Sequence, residues 1–262
     1  NAMLPGVRET DIPVPDAKNS VWKLNAETIG VYRVAYSPEH LAKLGKAAAQ
    51  KDSAFSLEDR VGLVSDAFTL AQAGYSKTSG GLALMHALRG DNSSLVNTAA
   101  ALNLGKLASV WWEQPQSVRD GINRFRADVF GPMARELTFE FGANDSSELR
   151  ELRETVITAA ASAGDTWTLD EIRRRFAPLQ EHGDYSLIHP DLLRTVLSQA
   201  VKHGGEAEYE TVMGVYRAPP TPAHKTSAMV ALGTTQDAAL IQRTIEFVFS
   251  GQVKTQDFMY FF

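Results

Sequence analysis

The feature that most restricts the fold of this chain is a helical hydrophobic period that begins at Ser37 and is broken at intervals by helix-stop residues. Ser37-Pro38 supplies an N-cap followed by proline at the first helical position, where its missing N–H is not needed. A helix is expected over about 57–73, opened by Ser56 and closed by Gly74. Its Leu57, Val61, Val64, Phe68 and Ala71 recur at three- and four-residue steps and form one apolar face. Helices over 78–88, stopped by Gly90, and over 94–112 follow. Beyond Pro115 the period runs through Val129-Phe130, is expected to break at Gly131-Pro132, and resumes to about Phe141. The next segment, 147–163, ends at Gly164, and Thr168 with Glu171 reads as a capping box for a helix carrying Arg173-Arg174-Arg175. Further helices are expected over 190–203, 206–216, 222–232, 238–249 and from 254 to the end.

Taken in pairs, these helices start near residues 38, 78, 116, 147, 190 and 222, a hairpin repeat of about 30 to 45 residues. That spacing lies in the range of HEAT and armadillo-like arrays, although no strict consensus recurs. The expected fold is mainly α, a HEAT/armadillo-like α-solenoid of helical hairpins over 37–262 with a concave surface open to a ligand or another domain. Residues 1–3 read as a processing remnant, and Pro5, Pro13 and Pro15 mark the following stretch as an extended linker. Val21 to Tyr36 is rich in β-branched and aromatic residues, with turn formers at 25–30, and two short strands are expected there. Strand alternation would then place Tyr32 and Tyr36 on one face and Arg33 on the other.

Composition removes several function classes. Lys plus Arg is 26 against 31 for Asp plus Glu, a net charge of −5, so the basic surplus that neutralises nucleic-acid phosphates is missing. No apolar run reaches the roughly 20 residues that span a bilayer, and no charged-then-apolar leader opens the sequence. Cysteine is absent, which excludes disulfides, thiolate metal sites and a cysteine nucleophile and agrees with a reducing compartment. The six histidines include no pair four apart, so H-E-x-x-H is missing. His182, His189 and Asp184 could share a metal in a loop, but solvated side chains account for them as well. Ser76, Ser79 and Ser186 lack G-x-S-x-G surroundings, and Gly80-Gly81 and Gly204-Gly205 lack phosphate-loop spacing. The Arg173–Arg175 cluster could take a carboxylate or phosphate, yet Asp170, Glu171 and Glu181 favour a solvated helical face. Trp111, Trp112 and Trp167 read as packing anchors or as pocket lining.

Two stretches are more specific. Trp22-Lys23-Leu24-Asn25 through Gly30-Val31-Tyr32-Arg33-Val34-Ala35-Tyr36, and Asp59-Arg60-Val61-Gly62-Leu63-Val64-Ser65-Asp66-Ala67-Phe68 with Leu70-Ala71 and Ala73-Gly74, resemble two signatures of the carboxy-terminal region of the M1-family zinc aminopeptidases, in the puromycin-sensitive and fungal cytosolic branch. Weaker similarities are 171–176, 201–204, 231–233 and Val253-Lys254-Thr255-Gln256-Asp257. The resemblance implies that residues 4–36 are a linker and hairpin from the end of a β-sandwich domain, and that 37–262 form a helical-repeat domain truncated at its C-terminal end. It implies a parent enzyme that cleaves N-terminal residues from peptides with zinc, whose zinc site and substrate-gripping Gly-x-Met-Glu-Asn segment this chain lacks. The chain itself is then expected to be non-catalytic, to hold no cofactor, to wall the peptide chamber, to control access and to take part in opening and closing. Expected partners are the catalytic domain of the same polypeptide and peptide substrates, without nucleic acid or membrane, in the cytoplasm. Tyr32, Arg33, Tyr36, Arg60, Asp66, Gln256 and Asp257 match the family motifs and are expected to be structural, with Arg33 tying the strand to the first helices and Asp66 satisfying a buried donor between helices. No carboxylate clamp carries over to Thr234, ahead of Thr235-Gln236. A free-standing helical scaffold for a protein partner is the alternative.

Overall fold

This computed structural model describes residue 11 and residues 13–262; the remnant at 1–3 and the first part of the linker lie outside the described residues. The described residues contain eleven α-helices and three short 3-10 turns, and no strand. They fall into two compact units, one ending at Asp91 and the other running from Asn92 to Phe262.

The first unit holds α1 (Pro38–Ala48), α2 (Leu57–Gln72) and α3 (Thr78–Ala87). Ser37 caps α1 by accepting from the His40 N–H, and Pro38 occupies the first turn. Ser56 and Asp59 close a reciprocal capping box on α2. α3 packs against both α1 and α2, and Leu44, Leu63, Val64, Leu84 and Met85 are buried between them. The buried face of α2 is centred on Leu63 and Ala67, slightly rotated from the stripe through Leu57 and Val61, which are only half-buried.

The second unit contains α4 (Ser94–Val110), α5 (Gln116–Leu137), α6 (Ser147–Ser162), α7 (Thr166–His182), α8 (Leu193–His203), α9 (Glu206–Arg217), α10 (Pro222–Leu232) and α11 (Ala238–Phe249). α4, α6, α8 and α10 stack in succession, and α5, α7 and α9 form a second layer against them. This is an α-solenoid: each hairpin buries an apolar face on its neighbours, because a two-helix unit has no core of its own. Phe130, Ile157, Ile172, Leu197, Tyr209 and Met213 are almost wholly excluded from water.

Five expectations are corrected. The β-hairpin over Val21–Tyr36 is not formed; the segment is irregular, with a single 3-10 turn at Ala26–Thr28. The Asn25 side chain takes over the bonds a partner strand would make, accepting from Gly30 N (2.6 Å) and donating to Gly30 O (2.9 Å) and Tyr32 O (3.3 Å). Asn25, Glu27 and Thr28 have φ near +55°, which strand geometry forbids. With no strand, the Tyr32/Tyr36 against Arg33 alternation lapses. α5 runs unbroken through Gly131-Pro132, since burial of Val129, Phe130, Met133 and Ala134 outweighs one missing backbone bond, and it stops at Leu137, not near Phe141. The N-cap of α7 is Asp165, whose carboxylate accepts from Thr168 N (3.0 Å) and Thr168 Oγ1 (2.8 Å), so the Thr168/Glu171 box does not form. The stretch 190–203 opens with a 3-10 turn at Pro190–Leu192 before α8. The final segment is a 3-10 turn over Thr255–Tyr260, held by Phe261 beside Tyr216 and Phe247.

Candidate functional site

The motif residues of the first unit converge on α2. Asp66 uses both carboxylate oxygens: Oδ1 accepts from Arg33 Nη1 at 2.9 Å and Oδ2 from the Val34 N–H at 3.0 Å. Arg33 also donates to Ser65 Oγ at 3.1 Å. Asp66 thus holds the incoming segment to α2. Asp59 is buried and pairs with Lys23 at 2.7 Å while accepting from Glu27 N at 2.7 Å and Ser56 N at 3.2 Å. Burial alone would raise its carboxyl, but these bonds together outweigh it and the net shift is downward. Gly62 is required one turn on, because a Cβ there would stand 2.3 Å from Thr28 Oγ1.

Tyr36 lies in an aromatic group with Trp22 and His40, whose ring centroids are 4.1 Å apart, and its hydroxyl accepts from Leu24 N at 3.0 Å. Burial pushes the Tyr36 phenol up to about 12, so it stays protonated. Arg60 pairs with Asp91 at 2.9 Å. Tyr32 is exposed. Gln256 and Asp257 lie in the terminal 3-10 turn, the first exposed and the second half-buried, in the other unit.

The residues weighed for chemistry are not gathered into a site. His189 stacks on Phe141 at 3.6 Å and accepts from Asp191 N, Asp184 accepts from Ser186, and His182 lies beside Glu181. Among the described residues no group of three or more His, Asp or Glu is placed to hold a metal ion. Arg173 and Arg174 are exposed and pair with Asp170 and Glu171 within their own helix. Arg175 departs from the solvated-face reading: it is buried, pairs with Glu140 and donates to Leu187 O at 2.9 Å, because its position faces the layer of α5 and the loop after it. Trp112 is exposed, whereas Trp167 packs on Phe139. Thr234 Oγ1 donates to backbone oxygens of Ser198 and Ala231, so the hydroxyl is spent internally.

Concavities among the described residues differ in their lining. One of about 390 Å³ in the first unit is lined by Val34, Tyr36, Leu41, Leu63, Leu70 and Tyr75. A smaller one, about 220 Å³, lies among α7, α8 and α9 at Gln199, His203 and Glu208; burial, then Lys202 and Arg173, holds the His203 imidazole below its usual range. Another, of about 530 Å³, runs along α4 and α6 past Thr98, Leu102, Lys106, Glu154 and Ser162 and takes in Arg126 of α5. None joins a nucleophile to a base and an oxyanion donor. Arg126, Lys202 and Glu154 were not singled out by motif; the signal for Arg126 is a charge set inside the apolar stripe Ile122, Val129, Phe130, Met133.

Residues 22–262 match the family of the ERAP1-like C-terminal domain. The chain belongs to that family. Its relatives are M1-type aminopeptidases, of which this chain corresponds to the C-terminal domain. It is 31% identical over 238 residues to the alanine/arginine aminopeptidase of Saccharomyces cerevisiae, covering 90% of this chain and 27% of that protein. It is 31% identical over 245 residues to aminopeptidase 2, mitochondrial, of the same yeast, covering 90% and 24%. To the puromycin-sensitive aminopeptidase of Caenorhabditis elegans it is 26% identical over 242 residues, covering 92% and 25%. The chain therefore spans about a quarter of the length of the curated relatives it matches. Among the described residues of this ERAP1-like C-terminal domain, no helix is long and apolar enough to cross a membrane.

Proposed function

We propose that this chain is the non-catalytic C-terminal module of a zinc-dependent aminopeptidase that removes N-terminal residues from peptides. In this reading 37–262 form the helical-repeat domain and the residues before it join it to the rest of the polypeptide. The module walls the substrate chamber, limits peptide access, and takes part in open and closed arrangements. Its partners are the catalytic domain of the same polypeptide and the peptide substrate, in the cytoplasm. The observation that carries the reading is the family match over 22–262, joined to grooves that offer contact surface without catalytic groups. Zinc, which the reading requires in the whole enzyme, finds no fitting donor set among the described residues.

The test compares the chain, the intact polypeptide that contains it, and that polypeptide with the module deleted. The purified chain should not hydrolyse aminoacyl-arylamides, whereas the intact protein should. Deletion should change the rates on long peptides more than those on arylamides. Turnover by the chain that survives repurification, or an unchanged long-peptide profile after deletion, would sink the reading.

A further inference from the structure

The cavity of the first unit is apolar inside and charged at its mouth. Leu41, Leu63 and Ala67, each less than a tenth exposed, line it together with the half-buried Val34 and Leu70. Its volume, about 390 Å³, lies within the range of about 300 to 1,000 Å³ that small-molecule pockets occupy. Gly80 of α3 belongs to the same lining. The nearest group of another element is the tip of the Leu41 side chain, whose Cδ2 would stand 3.3 Å from a Cβ at Gly80. That flexible tip can give way, so crowding does not dictate a glycine. A glycine within a helix is less favourable than an alanine, and what it leaves at this position is room in the cavity.

The mouth carries one charge of each sign. Glu39 of α1 and Lys77, which precedes α3, are exposed and line the cavity, and neither has an ion-pair partner among the described residues. Hydrogen bonds from its own backbone N–H and from the Ser37 hydroxyl, and then the Lys77 ammonium, hold the Glu39 carboxyl below its usual range. Glu39 is therefore ionised at neutral pH and close enough to Lys77 for one small molecule to reach both. Lys77 is also the N-cap of α3, and its side chain caps none of the first-turn N–H groups. The positive end of that helix dipole thus adds to the ammonium. Tyr75, 79% exposed, presents its ring at the same mouth.

We propose that this cavity binds a free α-amino acid with a large apolar side chain. The side chain enters between Leu41, Leu63 and Leu70 and leaves water. Glu39 takes the α-ammonium, and Lys77 at the start of α3 takes the α-carboxylate. The Tyr75 ring covers the entrance and attracts the ammonium through its face. All of these residues belong to the first unit, so the test is independent of the chamber reading.

The test is thermal unfolding of the whole chain with L-leucine, glycine, L-leucinamide or N-acetyl-L-leucine, each against sodium chloride at equal ionic strength. L-leucine should give a saturable rise in Tm. Glycine, which lacks the side chain, should bind at least tenfold more weakly, and the amide and the acetylated form, which each lack one charge, at least fivefold more weakly. Gly80→Leu fills the cavity and should abolish the response to L-leucine. Glu39→Gln and Lys77→Gln, at exposed positions that leave the fold intact, should each weaken it at least fivefold and serve if the Leu variant does not fold. No saturable response to L-leucine, an equal response to glycine or to either blocked form, or an unchanged response in the Gln variants overturns the proposal.

Discussion

Single carboxylates organise the first unit. Asp59 caps α2, neutralises Lys23 and orients the Ala26–Thr28 turn, so Asp59→Asn leaves a largely buried ammonium without its counter-ion. A loss of about 3 kcal/mol is expected from urea unfolding at neutral pH. Because the folded-state pKa of Asp59 is lowered, its contribution is complete above the ordinary carboxylate value of about 3.9 and is lost as pH falls through the lower folded value. The Asn variant should therefore lose less stability than the wild type on acidification through that window. Asp66 tethers Arg33 and the Val34 amide. Asp66→Ala should cost about 1–2 kcal/mol and speed hydrogen exchange at the Val34 N–H, with little change at α3. The motif made Arg33 and Asp66 visible in sequence; that they face each other was not, because their 33-residue separation is closed only by folding.

At the scale of elements, capping chemistry was the most legible part. Ser37-Pro38 and Ser56 are read correctly because the bonds they make are local. The α5–α7 region was misread where tertiary contacts overrule local preference. Gly131 sits where α7 begins: a Cβ there would stand 2.6 Å from Asp165 Oδ1, an oxygen held at 2.8 Å by Arg135. Gly131→Ala should destabilise by about 1–3 kcal/mol, read as a lower urea midpoint, because the Asp165 carboxylate is pinned by its bonds and cannot step aside freely. The neighbouring Pro132→Ala should do the opposite, since it restores an N–H inside a helix at an exposed position. A gain of about 1 kcal/mol or more by the same measurement is expected. The missing hairpin has the same kind of cause: aromatic and β-branched residues make a strand only when another strand supplies the ladder, and here Asn25 and Asp66 satisfy the segment instead.

At the scale of the molecule, residues 92–262 form a compact unit with its own buried layer between the α4–α6–α8–α10 stack and α5–α7–α9. Produced alone, this stretch should keep its helical circular dichroism and unfold in one cooperative transition; a non-cooperative melt would count against its autonomy. The sequence by itself determined the helical class, most helix starts and the family, because periodicity, caps and motifs are properties of consecutive residues. Only the tertiary structure decided which charges are neutralised. Arg175 and Arg126 are both buried, yet one meets Glu140 from 35 residues away and the other has no carboxylate partner among the described residues. Whether a buried charge finds its partner depends on the packing of distant helices, and no local pattern encodes that distance.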